Sequence, residues 1–400
     1  MLLRGSEPPP LWRRPVLFAA LAVAAVIAWQ ALTVGANYGG NWTGLFRTGA
    51  AMPMPPGWSA GVQRSAHPIG YDGQYYLILA HDPFLRNGAA DYLDIPAMRA
   101  RRILLPLLAW TIAGGRGELV AGAFIGLILA AVFGGVYWLS LLFARQGWPA
   151  WSGLLFLLIP ATVIGIDSMT VDVVLAALAA GLLWQAETGQ VGARWVTLAA
   201  AGLVRETGLL LVLAAASGAV RERRWGPAAL WLSAALPAAF WYLYLDSLLP
   251  PAASHRLGLP AWLLHDLQGG LWTALWQPLP YPTLPPTLRL AARALDAMAL
   301  GGMMATLLYG AWCVRRGTPG LGRHLLAVHV VFALALLSPE FWSSAYGFGR
   351  AMGPLFTGLL AVQTSRPRLA AAAALLALID LRILAEYAGQ AQGVLRWLGR

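Results

Sequence analysis

The chain has 400 residues, of which 58% are hydrophobic and only 11% charged, with a mean hydropathy of +0.62. Apolar runs recur from one end to the other, so most of the surface must face lipid, and a water-soluble globular domain is excluded. The net charge of +11 rests on arginines with no lysine at all, and because they stand in short stretches between apolar runs they report membrane topology rather than nucleic-acid binding.

The first apolar run, Pro15 to Gly35, follows Arg4, Arg13 and Arg14 and carries no convincing small-residue cleavage site. It is expected to be a retained helix with its amino end in the cytoplasm. The segment 36–117 then lies outside as a large first loop with short interfacial helices. Further spans are expected at Glu118 to Ala144, Trp151 to Ile166, Val171 to Ala186, and Trp195 to Val220, the last interrupted at Arg205-Glu206-Thr207-Gly208. Pro227 to Leu249, Leu290 to Val314, Leu321 to Leu337, Ala351 to Val362 and Leu369 to Glu386 complete the series. At about 20 residues per crossing this makes roughly ten or eleven helices in one all-α membrane domain covering residues 1–400.

Charge bias tests the alternation. Arg145, Arg194, Arg221 with Arg223 and Arg224, Arg315 with Arg316 and Arg323, and Arg366 with Arg368 fall in loops placed on the cytoplasmic side. The alternation holds only if Trp195 to Val220 is a hairpin of two half-length helices with Arg205-Glu206 at its tip. Irregular, charged backbone at that depth requires surrounding protein or a water-filled cavity. A second outward segment, 250–289, carries Trp262, Trp272 and Trp276 at spacings that suit short helices at the membrane interface. The single cysteine, Cys313, excludes an internal disulfide and a cysteine-based metal site.

The chemistry-bearing residues concentrate in the first external loop. Gly70-Tyr71-Asp72-Gly73-Gln74-Tyr75-Tyr76 is followed by His81-Asp82-Pro83 and then by Arg99-Ala100-Arg101-Arg102-Ile103-Leu104-Leu105-Pro106. A carboxylate at a membrane surface can accept a proton from an attacking hydroxyl, and arginines at headgroup level can stabilise a leaving phosphate. Gly70 and Gly73 would let the backbone approach a ligand closely, and Tyr71 and Tyr75 offer flat faces for sugar stacking. The plain alternatives are an Asp-Gly turn for Asp72 and anchoring to anionic headgroups for the arginines. A basic cluster on the outer face runs against the positive-inside bias and favours function. Asp91 and Asp94 either neutralise that cluster or orient an arginine.

Elsewhere, Asp167 and Asp172 flank an outward turn, and an ionisable group at membrane depth is a functional candidate by default, with Asp172 preferred. Glu340 and the run Tyr346-Gly347-Phe348-Gly349-Arg350 form a late outward loop. His81-Asp82 could assist the base or hold a divalent cation, but two adjacent side chains are a weak metal signal and no metal cofactor is expected. Asp246, Asp266 and His255 read as structural or acceptor-side residues.

One helix, a large external loop with an early Asp, many spans with half-length helices and a late Arg-bearing outward loop together resemble the GT-C superfamily of integral membrane glycosyltransferases. The motifs from Gly70 to Ala109 and from Leu203 to Leu210 are similar to bacterial members that build cell-surface glycopolymers, and more distantly to the mannosyltransferases of GPI-anchor assembly. The resemblance implies an inverting transferase that takes a sugar from a polyprenyl-phosphate donor and passes it to a glycan or lipid acceptor on the external face of a bacterial inner membrane. It implies Asp72 as general base; Arg99, Arg101, Arg102, Arg205 and Arg350 at the donor phosphate; and Tyr71, Gln74, Tyr75, His81, Asp82, Asp172, Glu206 and Tyr346 around the substrates. A transporter or flippase of a lipid-linked saccharide is the alternative, although no repeated halves are visible. The absence of a Gly-rich phosphate loop argues against direct use of a nucleotide sugar.

Overall fold

In lipid, uncharged runs rich in Leu, Ala and Val must satisfy their backbone polar groups internally, and helices do so within one segment. The computed structural model describes residues 14–58, 61–65, 67–249, 274, 279–317, 319–336 and 339–399. Among these residues the structure is all-helical, and β pairing is limited to isolated bridges from Thr48 to Arg64 and Gly70. Pro15–Asn37 (α1) leads through a short 3-10 turn, Trp42–Phe46, to Gly73–His81 (α2), Pro96–Arg101 (α3) and Leu104–Ile112 (α4). Gly117–Arg145 (α5) is followed by the 3-10 helix Ala150–Leu158, Pro160–Ser168 (α6), Asp172–Glu187 (α7), Val191–Val204 (α8) and Leu209–Arg221 (α9). Then come Trp225–Ser233 (α10), Leu236–Leu248 (α11), Pro286–Arg316 (α12) and Leu321–Ala335 (α13). Pro339–Trp342 (α14), Ala345–Ala351 (α15), Gly353–Ala361 (α16), Arg366–Glu386 (α17) and Ala388–Leu398 (α18) close the chain.

Among the described residues four helices are long and apolar enough to cross a membrane: α1, α5, α10 with α11 taken as Trp225–Leu248, and α12. A fifth is present if Ala150–Leu158 and α6, bent by 68°, form one broken span. The sequence predicts a single crossing there, from Trp151 to Ile166. Pro160 interrupts it, because its ring blocks the preceding turn and it has no N–H to donate. The interruption after Val204 is present too: Arg205 is extended, and Glu206–Gly208 form a 3-10 turn before α9 begins. With 14 and 13 residues, α8 and α9 reach only about 20 Å each at 1.5 Å per residue, short of a core of about 30 Å. The expected span from Ala351 to Val362 holds only the nine-residue α16, every residue of which is buried.

In the segment 36–117, helix α2 is packed inside the protein, with every residue from Gly73 to Ala80 buried. Most of the second segment, 250–289, lies outside the described residues, together with Trp262, Trp272, Trp276, His255, Asp266 and the side chain of Glu340.

Helix contacts define two ends. At one, Gln146 Nε2 after α5 donates to the carbonyl of Ala361 at the end of α16 (2.9 Å), Ser217 Oγ near the end of α9 meets His324 Nδ1 in the first turn of α13 (3.2 Å), and Arg194 in α8 lies over the Trp231 ring of α10 (4.3 Å). Arg145 closes α5, Arg221 closes α9 and Arg194 lies in α8, so these three arginines stand at this end. At its far terminus α8 gives way to Arg205, and α7 opens with Asp172.

Close approach of backbones fixes the middle. Gly135 in α5 faces the Phe156 ring, and Gly153 faces Ser140 Oγ and the Val136 carbonyl of α5, so a Cβ at either glycine would overlap its neighbour. Small residues at such crossings let the backbones approach closely. Gly153→Ala should therefore lower stability in detergent by about 1–3 kcal/mol. Gly126→Ala, on the same α5 with open space around it, should be neutral or stabilising; thermal unfolding of the two variants checks the contrast.

Candidate active site

Asp72 immediately precedes α2, yet its side chain makes no capping hydrogen bond to that helix. The turn role open to an Asp-Gly pair is thus not how the carboxylate is used. The loop before it is held by backbone contacts: the Tyr71 N–H donates to the Arg47 carbonyl (3.0 Å), and Gly70, at φ +70°, packs against Arg47 and Gly49. A Cβ on Gly73 would overlap the Ser168 carbonyl and sit 2.9 Å from that of Phe46. Both glycines therefore admit the protein's own backbone, where the sequence suggested a ligand. Gln74, expected near substrate, is part of the same brace. It accepts from Gly49 N (3.0 Å) and donates to the Ile69 carbonyl (2.9 Å).

From that fixed point the Asp72 Oδ2 atom meets two guanidiniums, Arg350 Nη2 at 2.5 Å and Arg99 Nη1 at 2.7 Å. Each of these arginines has a second carboxylate. Arg99 donates through Nε and Nη2 to the two oxygens of Asp94 (2.8 and 2.7 Å), and its guanidinium lies 4.6 Å over the Tyr75 ring. Arg350 donates through Nε to Asp172 Oδ2 (2.8 Å) and through Nη1 to the Tyr71 hydroxyl (3.1 Å). The other Asp172 oxygen accepts from Arg205 Nη1. Beside this chain of pairs, Arg102 donates through Nε and Nη2 to Glu206 (3.0 and 2.5 Å) and through Nη1 to the Tyr76 hydroxyl (3.1 Å).

Four guanidiniums, those of Arg99, Arg102, Arg205 and Arg350, thus face four carboxylates, those of Asp72, Asp94, Asp172 and Glu206. Burial by itself raises the Asp72 carboxyl, but Arg350 and Arg99, with Arg102 behind them, outweigh that and hold it below the usual carboxylate range. Burial pushes the Tyr71 hydroxyl up to about 12 against the opposing pull of Arg350, so at neutral pH it is a hydrogen-bonding group and not a base.

Not every expected residue joins this cluster. Arg101 turns to the Tyr242 ring (5.2 Å) and stands 3.9 Å from Asp246. The cause is helical phase, since residues two apart on α3 point about 200° away from each other. The Asp82 side chain accepts from the backbone N–H groups of Arg86 (2.9 Å) and Asn87 (2.7 Å), which assigns it to organising the turn after α2 in place of a substrate contact. His81 stacks on Trp58, with ring centroids 5.3 Å apart, and burial lowers its pKa. Tyr346 contacts the Tyr71 ring edge-on at 5.7 Å. Asp172 and Glu206, expected at substrate, instead face arginines.

A second charged group adjoins the cluster. Asp167 is paired with Arg47, whose guanidinium lies 5.3 Å over the Tyr387 ring. The sequence raised Asp167 and Asp172 together; the structure separates them, one toward Arg47 and the other toward Arg350. Arg47 carried no sequence signal beyond its charge. Among the described residues no group of three or more His, Cys, Asp or Glu side chains has metal-binding geometry.

No protein-family model matches the chain, and neither a curated protein nor a solved structure matches it.

The Asp172 side chain is fully buried between its two guanidiniums. Asp172→Ala would leave Arg205 without its carboxylate and Arg350 with Asp72 alone, and should cost about 3–5 kcal/mol in unfolding free energy. Asp246→Ala removes a half-exposed carboxylate from a 3.9 Å pair and should cost less than about 1 kcal/mol, so unfolding midpoints in one detergent rank the two.

Proposed function

We propose that this chain is an integral membrane glycosyltransferase of the GT-C kind, which moves a sugar from a polyprenyl-phosphate donor to a cell-envelope glycan or lipid acceptor with inversion at the anomeric carbon. Asp72 is the general base. Arg99, Arg102 and Arg350 stabilise the departing phosphate, and the tyrosines 71, 75 and 346 give the sugar its contact faces. The observation that carries this reading is the meeting of one carboxylate, partly open to solvent, with guanidiniums delivered from residues 99 and 350. Inverting displacement needs this combination, a base on the acceptor side and preorganised positive charge where the leaving group gains negative charge.

The two-ended arrangement of the helices supports an outward site. A cytoplasmic arginine-rich end accords with the positive-inside rule, and this supports an external Asp72 with the amino terminus inside. A bacterial inner membrane is the compartment that fits a polyprenyl-phosphate donor. The half-length helices α8 and α9 bring Arg205 and Glu206 to the cluster, where Asp172 and Arg102 compensate the charges of their junction.

The reaction is tested with purified protein in nanodiscs, a polyprenyl-phosphate sugar and a glycan acceptor, by following loss of donor. Wild-type protein should consume it, and Asp72→Asn should slow turnover by about 10²-fold or more. Arg350→Ala should weaken donor use as well. Turnover unchanged in Asp72→Asn removes the base assignment; no donor consumption by wild type, with saccharide movement across a sealed vesicle, would indicate the transporter.

A further inference from the structure

We propose that Asp94 and Asp172 are positioning residues that aim Arg99 and Arg350 at a single point, and that the donor's phosphate takes this point by displacing Asp72, which frees the base only once donor is bound. The inference rests on the transferase reading above and adds to it an order of events, donor before acceptor chemistry.

The geometry has a repeated form. Asp94 holds Arg99 by its Nε edge, Asp172 holds Arg350 by its Nε, and Glu206 holds Arg102 by its Nε edge. In each case a terminal nitrogen is left to point inward. For Arg99 and Arg350 these nitrogens converge on the same atom, Asp72 Oδ2. Arg99, fixed along its Nε–Nη2 edge by Asp94, and Arg350, fixed at Nε by Asp172, converge with their remaining nitrogens on one point, an arrangement preorganised for a tetrahedral oxyanion.

Charge requires an exchange. With four guanidiniums already facing four carboxylates, an arriving phosphate meets no uncompensated cation in the cluster, so one carboxylate has to give way. Asp94 and Glu206 are gripped bidentately, and Asp172 is fully buried between two arginines. Asp72 is held at one oxygen only, Oδ1 receives no hydrogen bond from the described residues, and the side chain keeps 18% of its surface exposed. It is the member most easily displaced. Its position also makes displacement useful, because a carboxylate clamped by two guanidiniums is a weak base. Once Arg99 and Arg350 turn to phosphate, Asp72 accepts the proton of the acceptor hydroxyl. The acceptor oxygen's electron pair forms the new bond to the anomeric carbon, and the pair of the broken C–O bond leaves on the phosphate.

Polyprenyl phosphate without its sugar serves as the probe, titrated directly onto full-length protein in nanodiscs. Asp72→Asn, which removes the competing charge, is expected to bind it roughly tenfold more tightly than wild type. Asp94→Ala also removes one negative charge, yet should bind roughly tenfold more weakly because Arg99 loses its anchor. Asp94→Glu, which keeps a carboxylate there, should return toward wild-type affinity. Equal or weaker binding by Asp72→Asn overturns the exchange, and tighter binding by Asp94→Ala shows that only net charge matters and overturns the anchoring. Should Asp94→Ala fail to fold, Asp94→Glu takes its place, a shift of tenfold or more from wild type overturning the anchoring and a smaller one supporting it. Absence of binding by wild type and Asp72→Asn alike overturns the polyprenyl-phosphate reading and this proposal with it. The predicted order of affinities without any sugar transfer would leave the exchange standing and remove the transferase.

Discussion

A buried charge must find an opposite charge or leave, and in this molecule that rule joins residues far apart in the chain. Asp72 stands at the start of α2, Arg350 lies in α15, and Asp172 opens α7; the three meet in one ion-paired line. Removing water from a carboxylate costs several kcal/mol, so none of these groups is stable at its place without the others. The cluster therefore ties together the termini of helices that come from distant parts of the chain. Its electrical neutrality as a set, four carboxylates against four guanidiniums, is what allows so many charges to be buried together.

The backbone around Asp72 explains why the carboxylate points inward. A capping aspartate turns back to the N–H groups of its own helix, but here α2 starts with a glycine pressed against the Ser168 and Phe46 carbonyls. That contact fixes the helix start, and Gln74 ties the preceding loop to Gly49 and Ile69. With the loop braced on both sides, the side chain of Asp72 is presented to Arg99 and Arg350. Position is set by backbone packing, and charge then selects the partner.

How much of this was legible in the sequence depends on the kind of signal. The long apolar runs that became α1 and α5, and the apolar stretch of α12 after Asp296, are unmistakable, because a membrane-length apolar stretch has few alternatives. The break at Arg205-Glu206 was also visible, since two adjacent charges followed by Thr207-Gly208 stand inside an otherwise apolar run. Pro160 was visible as a residue, but not as a 68° bend, because the angle depends on what packs against the two halves. Within the arginine cluster the sequence could mark residues 99, 101 and 102 but not rank them. The short α3 directs Arg99 inward and Arg101 to Tyr242, and the chain leaves the helix before Arg102. Gln74 and Asp82 have the polarity of substrate-binding residues, and only three-dimensional placement shows that their hydrogen bonds go to backbone groups. The pairing of Arg47 with Asp167 crosses 120 residues and has no local pattern to betray it.

On the proposed reading, neutrality of the cluster also has a chemical consequence. A polyprenyl-phosphate sugar is a phosphodiester with a single negative charge, and the polyprenyl phosphate that departs gains a second as the glycosidic C–O bond breaks. In the same step Asp72 takes a proton and loses its charge. The total within the cluster is unchanged from donor-bound state to products, while negative charge moves from the acceptor side toward the guanidiniums. An environment in which arginines are already fixed by Asp94, Asp172 and Glu206 need not reorganise to follow that movement, and fixed dipoles and charges of this kind lower a barrier more than mobile ones do. Asp172 and Glu206, which the resemblance set around the substrates, are on this argument, with Asp94, the parts that keep the arginines still.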